Sequence, residues 1–229
     1  MWNEKYYEEF ITYLYSLADL KYKEFHSKLI LDNNLIGIRT PILKKIAKEI
    51  SKYDYKGFFK YNTHKLYEEC LIHGLVIGYL KDYNEVIIYL NDFFMYINNW
   101  AACDLTCSNL KIFEKNMESG FNYISDLIKS TDSFKIRVGL VLLNDYYVNV
   151  VYIDSVLKIV DNVNSSEYYV KMAIAWLLST CYIKYSDKTY NYLLNSNLDN
   201  WTYNKTIDKI KDSKRVGDNS KKELNKLKK

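Results

Sequence analysis

The sequence predicts an all-α protein, a solenoid of antiparallel helical pairs, on three observations. First, 229 residues contain one proline and seven glycines. β-Sandwiches and open α/β folds need these residues at tight turns and phosphate loops, so a chain this poor in them reads as helix after helix joined by short polar loops. Second, apolar residues recur at helical spacing along nearly the whole chain, and no segment alternates convincingly enough to be a strand. Third, three residues that fit a plain core badly, Trp100, Arg137 and Trp176, stand 37 and 39 positions apart. Each step is close to one two-helix unit of about 40 residues.

The elements follow in order. From Met1 to Leu20 the residues Tyr6, Phe10, Tyr13, Leu14 and Leu17 share a helical face, and the pattern continues from Lys21 to Leu31 through Phe25, Leu29 and Ile30. Asp32, Asn33 and Asn34 break it. In Gly37-Ile38-Arg39-Thr40-Pro41, Thr40 is a suitable N-cap and Pro41 suits the first helical position. The stripe Leu43, Ile46, Ala47 and Ile50 follows. Further helices are expected near 65–80, 84–97, 101–113, 118–130, 134–148, 153–163, 167–185, 187–195, 201–213 and 218–228. No linker interrupts them, so one domain spanning 1–229 is expected, ending in a basic helical segment at about 201–229.

Charge is unevenly placed. The net charge is +4, yet Lys205 to Lys229 holds ten basic and four acidic residues, so the rest is slightly acidic. A near-neutral body with a basic end suits contact with a polyanion. No apolar run approaches the ~20 residues of a membrane span, and Met1 to Phe10 with its three glutamates has no signal-peptide character. The four cysteines form no secreted disulfide pattern, which makes a reducing cytoplasm the expected compartment. Cys103 and Cys107 stand four apart, but three scattered histidines offer no second ligand pair, so no metal is expected.

Three places carry candidate chemistry. Trp100 and Asp104 fall on one helical face with small residues between them, leaving room for something to approach. Arg137 is the lone charge in a run that is apolar on all sides. A buried arginine without a partner is very costly, so it either pairs with a carboxylate such as Asp104 or Asp145, or emerges to meet an anion. Trp176 lies about 120° off the core stripe of its own helix, Val170, Ala173, Ile174, Leu177 and Cys181. If the chain stacks helical pairs, equivalent helices bring these side chains to one face.

These residues, in this order, resemble the DNA alkylation repair family of AlkD-like glycosylases. The markers are Gly37-Ile38-Arg39-Thr40-Pro41 with Leu43 to Lys48, Trp100-x-x-x-Asp104, Arg137 in its apolar helix, Ala173-Ile174-Ala175-Trp176, and the basic segment Lys205 to Lys214. The resemblance covers nearly the whole chain. It implies HEAT-like repeats around a concave, positively charged DNA groove. It also implies hydrolytic release of N3- and N7-alkylated purines from duplex DNA without extrusion of the base, by a monomer with no metal or cofactor. By matching motif, Asp104, Trp100 and Trp176 take the catalytic positions, and Arg137, Arg39, Lys205 and Lys209 contact DNA. Asn99 stands where some members carry a second tryptophan. A HEAT-like module that binds distorted or branched DNA without cutting it, and a protein-binding scaffold, are the competing readings of the same features.

Overall fold

The computed structural model describes residues 1–30, 32 and 34–229. Among these residues the protein is all-α, with fourteen α-helices and no strand. No helix is long and apolar enough to cross a membrane. Two compact units divide the chain, Met1–Lys115 and Asn116–Lys229.

The first unit contains α1 (Glu4–Ser16), α2 (Leu20–Ser27), α3 (Thr40–Lys52), α4 (Tyr55–Tyr61), α5 (Tyr67–Tyr79), α6 (Tyr83–Phe93) and α7 (Trp100–Asn109). Its centre is α5, which packs against α3 on one side and α7 on the other. Every residue from Tyr67 to Ile77 is buried. That explains one of the few glycines. A Cβ on Gly74 would sit 1.9 Å from the Thr106 hydroxyl of α7, so only glycine lets the two helices approach. The last residue of α7, Asn109, donates its side-chain amide to the Leu75 carbonyl at 3.0 Å.

The second unit contains α8 (Met117–Leu127), α9 (Ser133–Leu142), α10 (Ile153–Asp161), α11 (Tyr168–Lys184), α12 (Ser186–Asn195), α13 (Asn200–Asp212) and α14 (Asp218–Lys226). It repeats the plan: α11 is central and packs against α9 and α13, while α8 lies on α9, α12 on α11 and α14 on α13. Thus α3, α5 and α7 form a row in the first unit and α9, α11 and α13 a row in the second, with α4, α6, α8, α10, α12 and α14 packed on their own unit's row. Antiparallel pairs stacked in this way are the helical-repeat plan expected from the sequence.

The structure corrects several local readings. The first helical stretch is two helices, because Asp19 caps a new one by accepting from the Tyr22 N–H at 3.0 Å. Leu31 and Asn33 lie outside the described residues, so the break read at Asp32-Asn33-Asn34 and the last residue of the Lys21–Leu31 stretch are not placed. The helix α3 starts one residue early, at Thr40, with Arg39 as its cap, and its proline falls in the first turn. The short helix α4 was not foreseen; Asp54 caps it through the Gly57 N–H. Near the end of α9 the winding loosens into a π turn over Leu143–Tyr147.

Candidate nucleic-acid interface

The candidate side chains all lie on or beside α3 and α7 in the first unit and α9, α11 and α13 in the second. Trp100 and Asp104 are on α7, Arg137 on α9, Trp176 on α11, and Lys205 and Lys209 on α13, while Arg39 caps α3. One flanking helix separates each successive pair from Trp100 to Trp176, which accounts for the intervals of 37 and 39.

The first unit places Trp100 and Asp104 one turn apart at the start of α7. Asn99 is the N-cap, accepting from the Ala102 N–H at 2.9 Å. Ala102 and Cys103 are buried, while Trp100 and Asp104 are half-buried on the other face. The indole N–H of Trp100 donates to the Leu29 carbonyl at 3.4 Å, so the ring is tethered to the segment after α2. That segment is itself anchored. The buried carboxylate of Glu68 accepts from the backbone N–H groups of Ile36, Gly37 and Ile38, the closest at 2.7 Å. Charge-assisted bonds of this kind are the strong ones. Gly37 adopts φ +95, open to glycine at little cost, and its carbonyl accepts from the Asp19 N–H at 3.0 Å. This anchored turn delivers Arg39.

Arg39 does not stand alone. Its Nε lies 2.9 Å from the Asp19 carboxylate, and its guanidinium lies over the Tyr22 ring at 5.1 Å. The Tyr22 N–H and then the Arg39 guanidinium hold the Asp19 carboxyl below its usual range. Solvent screens an exposed pair of this kind, so a competing phosphate can replace it.

In the second unit Arg137 is only 5% exposed. Its Nη1 donates to the Tyr169 carbonyl of α11 at 2.7 Å, and the group lies 5.8 Å from the Tyr169 ring centroid. A backbone acceptor on the neighbouring helix was not among the partners read from the sequence. Trp176 is 36% exposed between buried neighbours on both sides, as its angular offset predicted. Tyr169 precedes it by seven residues, so the two rings share a face of α11. Lys205 and Lys209 lie half-buried four apart on α13. The tail's charge is partly spent internally: Lys228 pairs with Asp208 at 2.5 Å and Lys226 with Glu223 at 2.7 Å.

All four cysteines are buried and free, and no group of three potential metal ligands occurs among the described residues.

Sequence reading missed a recurrence that the fold exposes. The helices α5, α7, α9, α11 and α13 open with aromatics: Tyr67, Trp100, Phe134, Tyr168 with Tyr169, and Trp201. In the second unit these rings run on without a gap, Phe134 to Tyr169 at 5.6 Å, Tyr169 to Tyr168 at 5.5 Å and Tyr168 to Trp201 at 5.8 Å. The signal was an interval of 33 or 34 residues from Tyr67 through Trp201, hidden among 24 tyrosines.

Comparison with known proteins settles what this row belongs to. The family model described as "DNA alkylation repair enzyme" matches residues 11–210. The chain belongs to that family. The matched span includes Arg39, Trp100, Asp104, Arg137, Trp176, Lys205 and Lys209, and it ends before most of the basic tail. A search of the curated proteins finds no match. Family membership assigns the protein a role in repair of alkylated DNA, and with it DNA binding.

Proposed function

We propose that this protein is a DNA glycosylase that hydrolyses the N-glycosidic bond of cationic N3- and N7-alkylated purines in duplex DNA, without flipping the base. The observation that carries the reading is the pair on α7: a half-buried carboxylate one turn from a half-buried indole, with small residues between them, inside the family-matched span.

The chemistry fits those residue types. Alkylation leaves the purine positively charged, which weakens its bond to the sugar. As the bond breaks, the electron pair goes to the base and positive charge develops on the deoxyribose. Asp104 stabilises that charge and orients the attacking water. The indoles of Trp100 and Trp176 attract the cationic lesion and its sugar, at roughly 0.5–2 kcal/mol each. Arg137 steadies the start of α11 through the Tyr169 carbonyl and adds positive charge beside the bound backbone. Arg39, Lys205 and Lys209 contribute affinity that carries no sequence information and weakens with salt.

The test is release of 7-methylguanine and 3-methyladenine from methylated duplex DNA, with Asp104→Asn as control. Release that depends on Asp104 supports the reading. Duplex binding with no release at active-site concentrations of protein overturns it in favour of a non-catalytic module. Absence of any duplex binding at ~0.1 M salt points instead to a protein-binding scaffold.

A further inference from the structure

The rings that open the helices of the second unit are held at the surface and are not part of its core. Tyr168, Tyr169 and Trp201 are 58%, 36% and 42% exposed, and Phe134 is half-buried. Each stands first or second in its helix. Helix formation does not ask for them there, because aromatics are middling helix formers and helix starts favour polar caps. Asp132 and Asp199 already supply those caps, accepting from the Phe134 and Trp201 N–H groups at 2.8 and 3.1 Å. What remains is a continuous apolar strip in water, and such a strip marks a binding surface.

The geometry and charge of the strip indicate its ligand. Consecutive ring centroids are 5.5–5.8 Å apart and the planes are tilted by 38–66°, so the rings lean on one another and hold their outward faces in place. The gaps are too narrow for another planar ring, so a ligand lies on the outer faces. Cations border the strip. Lys171, one turn after Tyr168, has its Nζ 5.9 Å from the Trp201 ring centroid. Lys205 follows Trp201 by one turn on the same face of α13. Rings interleaved with cations hold single-stranded nucleic acid: bases stack on the rings and phosphates meet the cations. The capping aspartates and the exposed Glu167 keep the local net charge low, so stacking carries the affinity and a bare phosphate chain is not enough.

We propose that the starts of α9, α11 and α13 form a binding site for single-stranded DNA. The ligand is DNA because the chain belongs to a DNA-repair family. It is single-stranded because a base inside a duplex has both faces covered by its neighbours, whereas an unpaired base offers a face to a ring. The strip is continuous with the candidate interface: Tyr169 shares a face of α11 with Trp176, and its carbonyl holds Arg137. The site takes DNA that is already unpaired, at a gap or a strand end. No base leaves a duplex stack to reach it, so the site stands apart from the glycosylase reading and is compatible with it.

The experiment is fluorescence anisotropy of the intact protein with labelled oligothymidylate of about 12 nucleotides, within the footprint of single-strand binders. An abasic chain of the same length and an undamaged hairpin duplex are the comparison ligands. The variants are Trp201→Ala, Tyr168→Ala and Trp201→Phe, with matching thermal melts to establish that each folds. The expected result is saturable binding of oligothymidylate at ~0.1 M salt, weakened at least fivefold in each alanine variant, largely kept in Trp201→Phe, and absent with the abasic chain. No saturable binding, equal affinity for the abasic chain, or a loss of the same size on the duplex overturns the proposal. The ligands are undamaged and nothing turns over, so the two readings fail separately. Base release from methylated duplex without single-strand binding removes the ring site alone, whereas single-strand binding without base release removes the glycosylase and leaves the ring site.

Discussion

The two units share a plan and divide the physical work differently. The first has 15 basic and 15 acidic residues and all three histidines; the second has 17 basic and 13 acidic residues and no histidine. In the first, buried polar groups hold loops in place. Glu68 gathers three backbone N–H groups, Glu69 accepts from the Leu66 N–H at 2.8 Å and from Tyr7, and His64 meets His73. The second buries polar groups too, among them Arg137, Ser179, Thr189, Thr202 and Thr206, but it also carries lysines along α13 and a run of rings at its helix starts. On the proposed reading Asp104, in the first unit, stabilises developing charge, which needs preorganised groups around it. A cationic, aromatic unit suits holding a polyanion. The comparison teaches that a repeat plan can be kept while histidines and basic charge are distributed unevenly between its halves; the proposed reading adds that Asp104 acts in the first and Lys205 and Lys209 bind in the second.

The sharpest way to break this comparison is Asp104→Asn. If the first unit holds the chemistry, single-turnover base release falls about 10²- to 10³-fold, the usual effect of removing one electrostatic stabiliser, and duplex affinity changes little. A comparable loss of affinity would mean that Asp104 serves binding.

Next in size is the anchoring of the first unit. Glu68→Gln keeps the shape of the side chain but loses the charge, and it turns an N–H donor toward a backbone that offers only donors. A loss of about 2–3 kcal/mol is expected, read from urea unfolding followed at Trp100. The same experiment with Lys171→Gln in the second unit, which breaks an exposed pair with Asp199 at 3.2 Å, should cost less than about 1 kcal/mol.

Acid separates the units again. Burial holds His73 well below the usual histidine range, and burial likewise lowers His64 and His26. A histidine whose folded pKa lies below its unfolded value binds its proton more readily when unfolded. Stability is therefore complete above the unfolded pKa, near 6.5, and falls as pH drops below it. The slope is about 1.4 kcal/mol per pH unit for each proton taken up, with His73 supplying the dependable part. Hydrogen exchange, corrected for its intrinsic pH dependence, should show α5 opening between pH 6 and 5 while α11 stays protected. His73→Phe should flatten the response.

Much of this was legible beforehand, and the failures are physical. The scarcity of proline and glycine was enough to give the all-α class, and the intervals between Trp100, Arg137 and Trp176 match the spacing of alternate helices along the chain. The α1–α2 break was missed because Leu17-Ala18-Asp19 contains no helix breaker, and the turn depends on the Asp19 cap and on Gly37 approaching in space. The helix α4 was missed because seven residues are too few to show a period. Arg137 was read correctly as needing a partner, and one that the sequence did not offer is the main-chain carbonyl of Tyr169. The His64–His73 contact depends on a backbone turn at a non-glycine residue, which no spacing rule anticipates.

The smallest effect expected belongs to the lysines of α13, and it sharpens the division most. Lys205 and Lys209 lie half-buried on one helix face, four residues apart. Each phosphate neutralised by a lysine releases condensed counterions, so the logarithm of affinity falls with the logarithm of salt by about 0.9 per contact on duplex DNA. Changing both residues to glutamine should weaken duplex binding severalfold at ~0.1 M salt and lower the salt slope by about 1 to 2. The single-turnover rate at saturating protein should stay at the wild-type value, because neither lysine faces developing charge. Fluorescence anisotropy across a salt series reads the slope, and quenched-reaction assays read the rate. A fall in the saturated rate with an unchanged slope would place chemistry in the second unit and end the division proposed between the two.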